Sequence, residues 1–241
     1  MTQTGPLAYS DPVEWSLPPR LPWPQFLRLL RHPSPPKGWL EEAAEIPEVR
    51  KRPALLRWIA QHRKASAHLR VSLLPRLSIQ GLCDVSDDAS AHPQARAMAL
   101  ERLQSRWNTL SLGERRAMAL RAPRPLWPGF WKVPELAVLE RFLQNPKLNV
   151  ESVLALIQAP LSPVQAEGLA RSSWRKILPV AHHVLQVVDQ TLRHPEGALV
   201  LGHAAPWIRS LNAEERQSAI AQVVHPVLRR MLRASAEKDS G

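Results

Sequence analysis

Short amphipathic helices separated by prolines dominate the hydrophobic pattern of the chain. In residues 134–146, Leu136, Leu139 and Phe142 recur at the spacing that places side chains on one face of an α-helix, and Asn145-Pro146 closes the segment. No segment shows the strict apolar and polar alternation of a half-buried β-strand. The pattern predicts an all-α fold, a stacked array of about ten to twelve helices that are too short to be stable alone.

Side-chain caps predict where several helices begin. A capping box is a Ser, Thr or Asn followed three positions later by Glu or Gln, and this spacing occurs at three points. The pairs are Ser111 with Glu114, Ser162 with Gln165, and Asn212 with Glu215. Near the end of the chain, a single apolar stripe runs through residues 220–231 and past Pro226, where we expect a kink or break.

Helix ends of one kind recur along the chain. The segments 29–33, 142–146 and 191–195 each close an apolar helix with a polar residue and a proline, and the second and third lie 49 residues apart. A two-helix repeat of about 40 to 47 residues is typical of HEAT-like solenoids. We therefore expect an irregular HEAT-like α-solenoid at residues 21–234, preceded by a proline-rich disordered arm at 1–20 and followed by a flexible tail at 235–241.

Three stretches resemble a known family. They are residues 73–77, residues 110–123, and residues 142–146 with the following Val153-Leu154. These stretches are similar to uncharacterised proteins of a deltaproteobacterial type that carry degenerate HEAT-like or leucine-rich-repeat-variant helices, and the likeness covers roughly residues 20–195. The matching positions are helix caps and core residues, so the resemblance implies a helical-repeat fold and no particular reaction or ligand.

Basic residues outnumber acidic residues unevenly. The net charge is +11, and residues 20–124 hold 19 Lys and Arg against 9 Asp and Glu, whereas residues 125–241 hold 13 against 10. This excess favours an anionic partner, although a solvated basic face has the same composition. The candidate contacts for an anionic partner are Arg50, Lys51, Arg52, Arg96, Arg102, Arg106, Arg115, Arg116, Arg121 and Arg124.

Tryptophan is unusually frequent, with nine Trp against three Phe and one Tyr. Trp127 and Trp131 lie in a turn-rich connection beside Arg124 and Lys132. Two interpretations stay open: exposed rings that stack on bases or dock a partner, or a local hydrophobic plug. The other tryptophans on apolar helical positions are expected to fill space between helices, and these are Trp23, Trp39, Trp58, Trp107 and Trp174.

Sequence motifs of catalysis and metal binding are absent. The chain has no G-x-S-x-G elbow, P-loop, G-x-G-x-x-G or H-E-x-x-H. His182 and His183 are neighbours on a predicted helix, where side chains point about 100° apart and no third ligand follows on a shared face. The single Cys83 cannot form an internal disulfide. We expect no catalytic residue, no cofactor and no metal site.

These observations predict a non-catalytic protein-interaction or scaffolding module whose partner is another protein. We expect it to be cytoplasmic and without a membrane span, because neither an export signal nor a long apolar segment is present in the sequence. The alternative is a nucleic-acid-binding HEAT-like protein that uses a basic groove in residues 20–124, with a glycosylase-like enzyme as its catalytic form.

Overall fold

All regular structure that the computed structural model describes is helical. The described residues are 15–18, 20–195 and 197–238, and no β-strand occurs among them, which confirms the predicted all-α class. None of their helices is long and apolar enough to cross a membrane. Most of the predicted arm and residues 239–241 of the predicted tail lie outside the described residues, and residues 235–238 belong to the last helix.

Two compact units divide the chain at residues 102 and 103. The first unit comprises residues 1–102 and the second comprises residues 103–241. The helices of the first unit are α1 (Trp23–Leu29), α2 (Trp39–Glu45), α3 (Pro47–Arg50), α4 (Pro53–Gln61), α5 (Ala67–Leu73) and α6 (Ile79–Asp87). The boundary falls within α7 (Pro93–Arg106). 

The second unit is the longer one. Its helices are α8 (Leu112–Ala119), α9 (Trp127–Trp131), α10 (Leu136–Phe142), α11 (Val150–Leu156), α12 (Pro163–Arg171), α13 (Leu178–Thr191), α14 (Ala198–Leu201), α15 (Ala205–Ser210), α16 (Ala213–Gln222) and α17 (Pro226–Lys238). Single 3-10 turns lie at Trp107–Thr109, Arg124–Leu126 and Ser173–Lys176 in this unit, and at Leu74–Arg76 in the first unit.

Prolines explain why the described helices outnumber the expected ten to twelve. Pro47, Pro53 and Pro163 each occupy the first position of a helix, where the missing N–H removes no intrahelical hydrogen bond. Since proline cannot continue a preceding helix, each of these positions begins a new one. α3 and α4 are therefore separate short helices.

All three predicted capping boxes form. The Ser111 Oγ accepts the Glu114 N–H at 3.3 Å, and the Ser111 N–H donates to the Glu114 carboxylate at 2.9 Å. The other two pairs close the N-termini of α12 and α16 in the same reciprocal way. Each box satisfies two backbone N–H groups that would otherwise lack a partner, which is why these helix starts could be predicted.

The core of the second unit includes α10, which packs against α8 and α12. Val138, Leu139 and Phe142 of α10 are buried. A Cβ added at Gly168 of α12 would lie 2.9 Å from a methyl carbon of Leu139, so the close packing of these two helices depends on the absence of a side chain.

The predicted apolar stripe of residues 220–231 is interrupted. α16 ends at Gln222 and α17 begins at Pro226, which confirms the break at that proline. The stripe does not form one buried surface, because Val224 and Val227 are exposed whereas Val223 and Leu228 are buried. The buried Asp189 carboxylate accepts the N–H groups of Val224 at 3.1 Å and His225 at 2.6 Å. These two hydrogen bonds hold the connection between α16 and α17. The apolar positions of α17 therefore do not continue the face of α16.

Two turns of the first unit share one local geometry. His32 follows α1 and His62 follows α4, and the Nδ1 atom of each accepts the N–H two residues later, from Ser34 at 3.2 Å and from Lys64 at 3.1 Å. The His62 Nε2 atom lies 2.9 Å from the His32 carbonyl oxygen. Because Nδ1 accepts, Nε2 carries the hydrogen and donates to that carbonyl. His62 thus links two turns that lie 30 residues apart in the chain.

Candidate binding cavity beside Trp107

A largely apolar cavity of about 320 Å³ opens at the surface of the second unit. This volume is at the lower end of the range of ligand pockets and suits one bulky apolar side chain. The described residues that line it are Leu103, Gln104, Trp107, Met118, Pro125, Leu126, Gly129 and Phe130.

Helical spacing brings the lining residues together. Leu103 and Trp107 lie four positions apart at the end of α7 and in the adjoining 3-10 turn, and Leu126 and Phe130 lie four positions apart across the start of α9. Side chains at this spacing share one face of a helix. α8 adds Met118 between these two pairs in the sequence.

A chain of aromatic contacts forms one wall of the cavity. The Trp107 ring meets Phe130 edge to face, with centroids 4.9 Å apart at an interplanar angle of 87°. Phe130 stacks on Phe142 of α10 with centroids 5.6 Å apart. Phe130 and Phe142 are buried, whereas Trp107 is half-buried. The half-buried Trp107 ring is therefore supported by two core rings, which fixes the wall before any ligand arrives.

Arg115 stabilises this wall and is not a free surface charge. Its guanidinium lies 6.0 Å from the centre of the Trp107 ring, and its Nη1 donates to the Glu135 carboxylate at 2.6 Å. The two side chains are 27% and 31% exposed, so the ion pair is partly shielded from water. The Nε of Arg115 is buried without a hydrogen-bond partner among the described residues, as is Oε2 of Glu135. The predicted role of Arg115 as a contact for an anion does not suit this geometry.

The chain segment that builds the cavity is rich in basic residues. Residues 103–132 contain six Lys and Arg but one acidic residue, Glu114. Glu135 neutralises Arg115, whereas Arg116, Arg121 and Arg124 have exposed side chains. The segment thus combines an apolar cavity with a basic surface.

The other basic residues that the sequence analysis singled out have different local environments. In the first unit, Arg50 pairs with Glu45 at 3.4 Å, the Arg52 guanidinium lies 4.5 Å from the centre of the Trp23 ring, and Lys51 is exposed. Arg96 and Arg102 are exposed on α7, and Arg106 of the same helix is half-buried. In the second unit, the Arg124 guanidinium lies 5.4 Å from the centre of the Trp127 ring.

Trp127 and Trp131 are core residues, so the interpretation of exposed aromatic contacts is wrong. Each is 5% exposed. Residues 127–131 form a helix instead of a turn, and its buried face comprises Trp127, Phe130 and Trp131 at positions i, i+3 and i+4. The Trp127 Nε1 donates to the Ala122 carbonyl at 2.9 Å, which satisfies its polar group inside the core. The hydrophobic-plug interpretation is confirmed.

Sequence reasoning missed the cavity because it assigned Trp107 to the core. A sequence signal was present: Trp107 follows the last turn of α7 and precedes the polar Asn108-Thr109 connection, where a large ring has helix neighbours on one side only. Met118 and Gly129 carried no such signal. They line the cavity because α8 and α9 fold onto the same wall.

Metal-ligand chemistry is not assembled in the part of the chain that the structure describes. No group of three or more His, Cys, Asp or Glu side chains there could hold a metal ion. The His183 Nε2 lies 3.0 Å from the Ile157 carbonyl oxygen, and Cys83 is fully buried.

Comparison of the chain with protein-family models, with curated proteins and with solved structures finds no match.

Proposed function

We propose that the chain is a non-catalytic protein-interaction module, and that the Trp107 cavity takes a bulky apolar side chain from an acidic segment of a partner protein. The observation that carries this proposal is a preformed apolar cavity within a segment that also exposes basic side chains such as Arg116 and Arg124. The apolar lining selects the anchoring side chain, and the exposed arginines of the same segment favour an acidic sequence beside it.

The free energy from one buried side chain predicts a moderate affinity for the partner segment. Burial of a leucine or phenylalanine side chain is worth about 1.5 to 3 kcal/mol, whereas a dissociation constant of about 1 μM requires about 8 kcal/mol. Backbone contacts and charge pairs outside the cavity supply the difference. Because exposed charge pairs are screened, we expect the affinity to fall as salt concentration rises.

The proposal extends to the fold. We infer that the helices of each unit form a degenerate HEAT-like array, as the resemblance to the deltaproteobacterial-type proteins implies. The proline-terminated helix ends and the matching His32 and His62 turns support this reading. Such arrays use their side-chain surfaces for partner binding.

A peptide selection against the full chain tests the proposed site. We expect the enriched peptides to combine acidic residues with one leucine, phenylalanine or tryptophan. Gly129→Leu should abolish their binding, because Gly129 lines the cavity and a Cβ added there meets no atom within 4 Å. The new side chain can therefore occupy the cavity without displacing the backbone.

Gly113→Leu is the matched control for this occlusion. Gly113 also lies in a helix, and a Cβ added there likewise meets no atom within 4 Å, but it does not line the cavity. Both variants should keep the thermal stability of the parent chain, and only Gly129→Leu should lose peptide binding. Equal binding by both variants would exclude the cavity as the site.

Duplex DNA binding tighter than about 1 μM at physiological salt, and lost in Arg116→Glu, would favour the nucleic-acid alternative.

A further inference from the structure

A second pocket of the same unit is lined by positive charge. Its volume is about 420 Å³, and it shares no lining residue with the Trp107 cavity. The 3-10 turn Ser173–Lys176 packs against α15, and these two elements supply the whole described lining. The described residues that line the pocket are Arg175, Lys176, Pro206, Arg209 and Ser210.

Three cations and no carboxylate border this pocket among the residues that the structure describes. Arg175 is half-buried, and its Nη1 donates to the Ala170 carbonyl at 3.2 Å, which fixes the guanidinium in place. A guanidinium has five N–H groups, so this anchor leaves others for a ligand. Ser210 uses its hydroxyl hydrogen on the Trp207 carbonyl at 2.7 Å, so the pocket donors are the three cations.

Arg115 and Arg171 of this unit, by contrast, are paired with carboxylates. Arg171 pairs with Glu167 and, at 3.4 Å, with Glu140. The pocket instead gathers like charges, whose mutual repulsion a multiply charged anion would remove.

We propose that this pocket binds the phosphate groups of a diphosphate or phosphate ester. Guanidinium groups bind phosphate oxygens in pairs, and a lysine ammonium adds a compact charge. The volume exceeds that of a single phosphate, so a second phosphate or an ester group fits beside the first. The exposed Ile177 and Leu178 follow Lys176 directly, so a phospholipid headgroup and a soluble phosphate ester are the two sources of this chemistry.

Thermal unfolding of the full chain with pyrophosphate, at constant ionic strength against sodium chloride, tests the pocket. We expect a saturable rise in Tm, because a ligand that binds only the folded state stabilises it. The double variant Lys176→Gln and Arg209→Gln should lose this rise, since both side chains are exposed and their removal leaves the core intact. The matched control, Arg230→Gln and Arg233→Gln, removes the same charge from exposed positions of α17 and should keep it.

Cosedimentation with vesicles distinguishes the two sources. Binding to phosphatidylcholine vesicles that contain phosphatidic acid, but not to phosphatidylcholine alone, and loss of that binding only in the pocket variant, would assign a lipid headgroup. A Tm rise with pyrophosphate without vesicle binding would assign a soluble phosphate compound. If both double variants respond like the parent chain to both probes, or if the parent chain responds to neither, the proposal is wrong. This outcome is independent of the peptide experiment, because Gly129→Leu leaves the basic pocket unchanged.

Discussion

Each of the two compact units buries an arginine, and the two side chains are held in different ways. In the first unit, Nη2 of Arg70 donates to the carbonyls of His62 at 3.2 Å and Arg63 at 3.1 Å. Its Nε is buried without a hydrogen-bond partner among the described residues. Burial also lowers the pKa of Arg70. This arginine is therefore only partly compensated for its loss of water.

The buried arginine of the second unit is more fully bonded. Nε and Nη2 of Arg216 donate to the Leu211 carbonyl at 3.0 and 2.9 Å, and Nη1 donates to the Ser235 carbonyl at 3.0 Å. These bonds tie the start of α16 to the end of α17. In both units a buried guanidinium donates hydrogen bonds to backbone carbonyls.

The comparison shows that a count of basic residues overstates the charge available to a partner. Arg70 and Arg216 are buried, and Arg57 and Arg115 are half-buried against Asp84 and Glu135. Composition alone does not separate these cations from exposed ones such as Arg116. Variants that remove one arginine at a time can distinguish the structural arginines from the exposed ones.

The largest effect should come from Arg216→Leu. We expect the free energy of unfolding to fall by about 2 to 6 kcal/mol, because the change removes the guanidinium donors of two carbonyls and each such loss costs about 1 to 3 kcal/mol. Arg70→Leu should cost less, since it also removes an unpaired Nε from the interior. Urea denaturation followed by tryptophan fluorescence measures both. Arg230→Leu, at an exposed position, should leave the free energy of unfolding nearly unchanged. A loss of stability in Arg70→Leu as large as in Arg216→Leu would contradict the difference between the two buried arginines.

An intermediate effect should separate Arg115→Glu from Arg116→Glu. The two residues are neighbours on α8 and change the net charge equally, but only Arg115 pairs with Glu135. Arg115→Glu places a second carboxylate against Glu135, so we expect a loss of about 1 to 3 kcal/mol after allowance for partial exposure. Arg116→Glu should stay within about 0.5 kcal/mol of the parent chain. Equal losses in urea denaturation would show that the ion pair does not stabilise the fold.

The smallest effect concerns the pH dependence of the α8 cap. Hydrogen bonds from the Ser111 hydroxyl and backbone lower the pKa of Glu114 below its ordinary value of 4.5. A carboxyl whose pKa is lower in the folded chain stabilises it above the unfolded-state pKa, and this contribution is lost as pH falls through the folded-state pKa. Glu114→Gln should remove this part of the acid sensitivity, because Gln165 closes the same box in α12 with an amide.

Thermal melts at pH 7 and at about pH 3.5 measure this difference. The Tm advantage of the parent chain over Glu114→Gln should be larger at pH 7 than at the acidic pH, where part of the carboxyl is protonated. An advantage that is unchanged at the lower pH would contradict a role for the ionised carboxylate in the cap.

The two proposed binding sites were the least predictable part of the molecule. The sequence singled out Trp127 and Trp131, which α9 buries, and assigned Trp107 to the core, although it borders the cavity. The basic pocket escaped prediction because Arg175 and Arg209 lie 34 positions apart and belong to a region with a small charge excess. Their convergence depends on how the 3-10 turn packs against α15.

By itself, the sequence determined the helical class, the capped starts of α8, α12 and α16, and the break at Pro226. Each of these depends on hydrogen bonds or backbone limits within a few residues, so local spacing was sufficient. Tertiary structure alone decided which apolar and basic side chains remain exposed. The bond from His225 to Asp189 spans 36 residues, and the ion pair of Arg115 with Glu135 spans 20. Burial depends on such distant contacts, because a side chain loses water only where another element covers it.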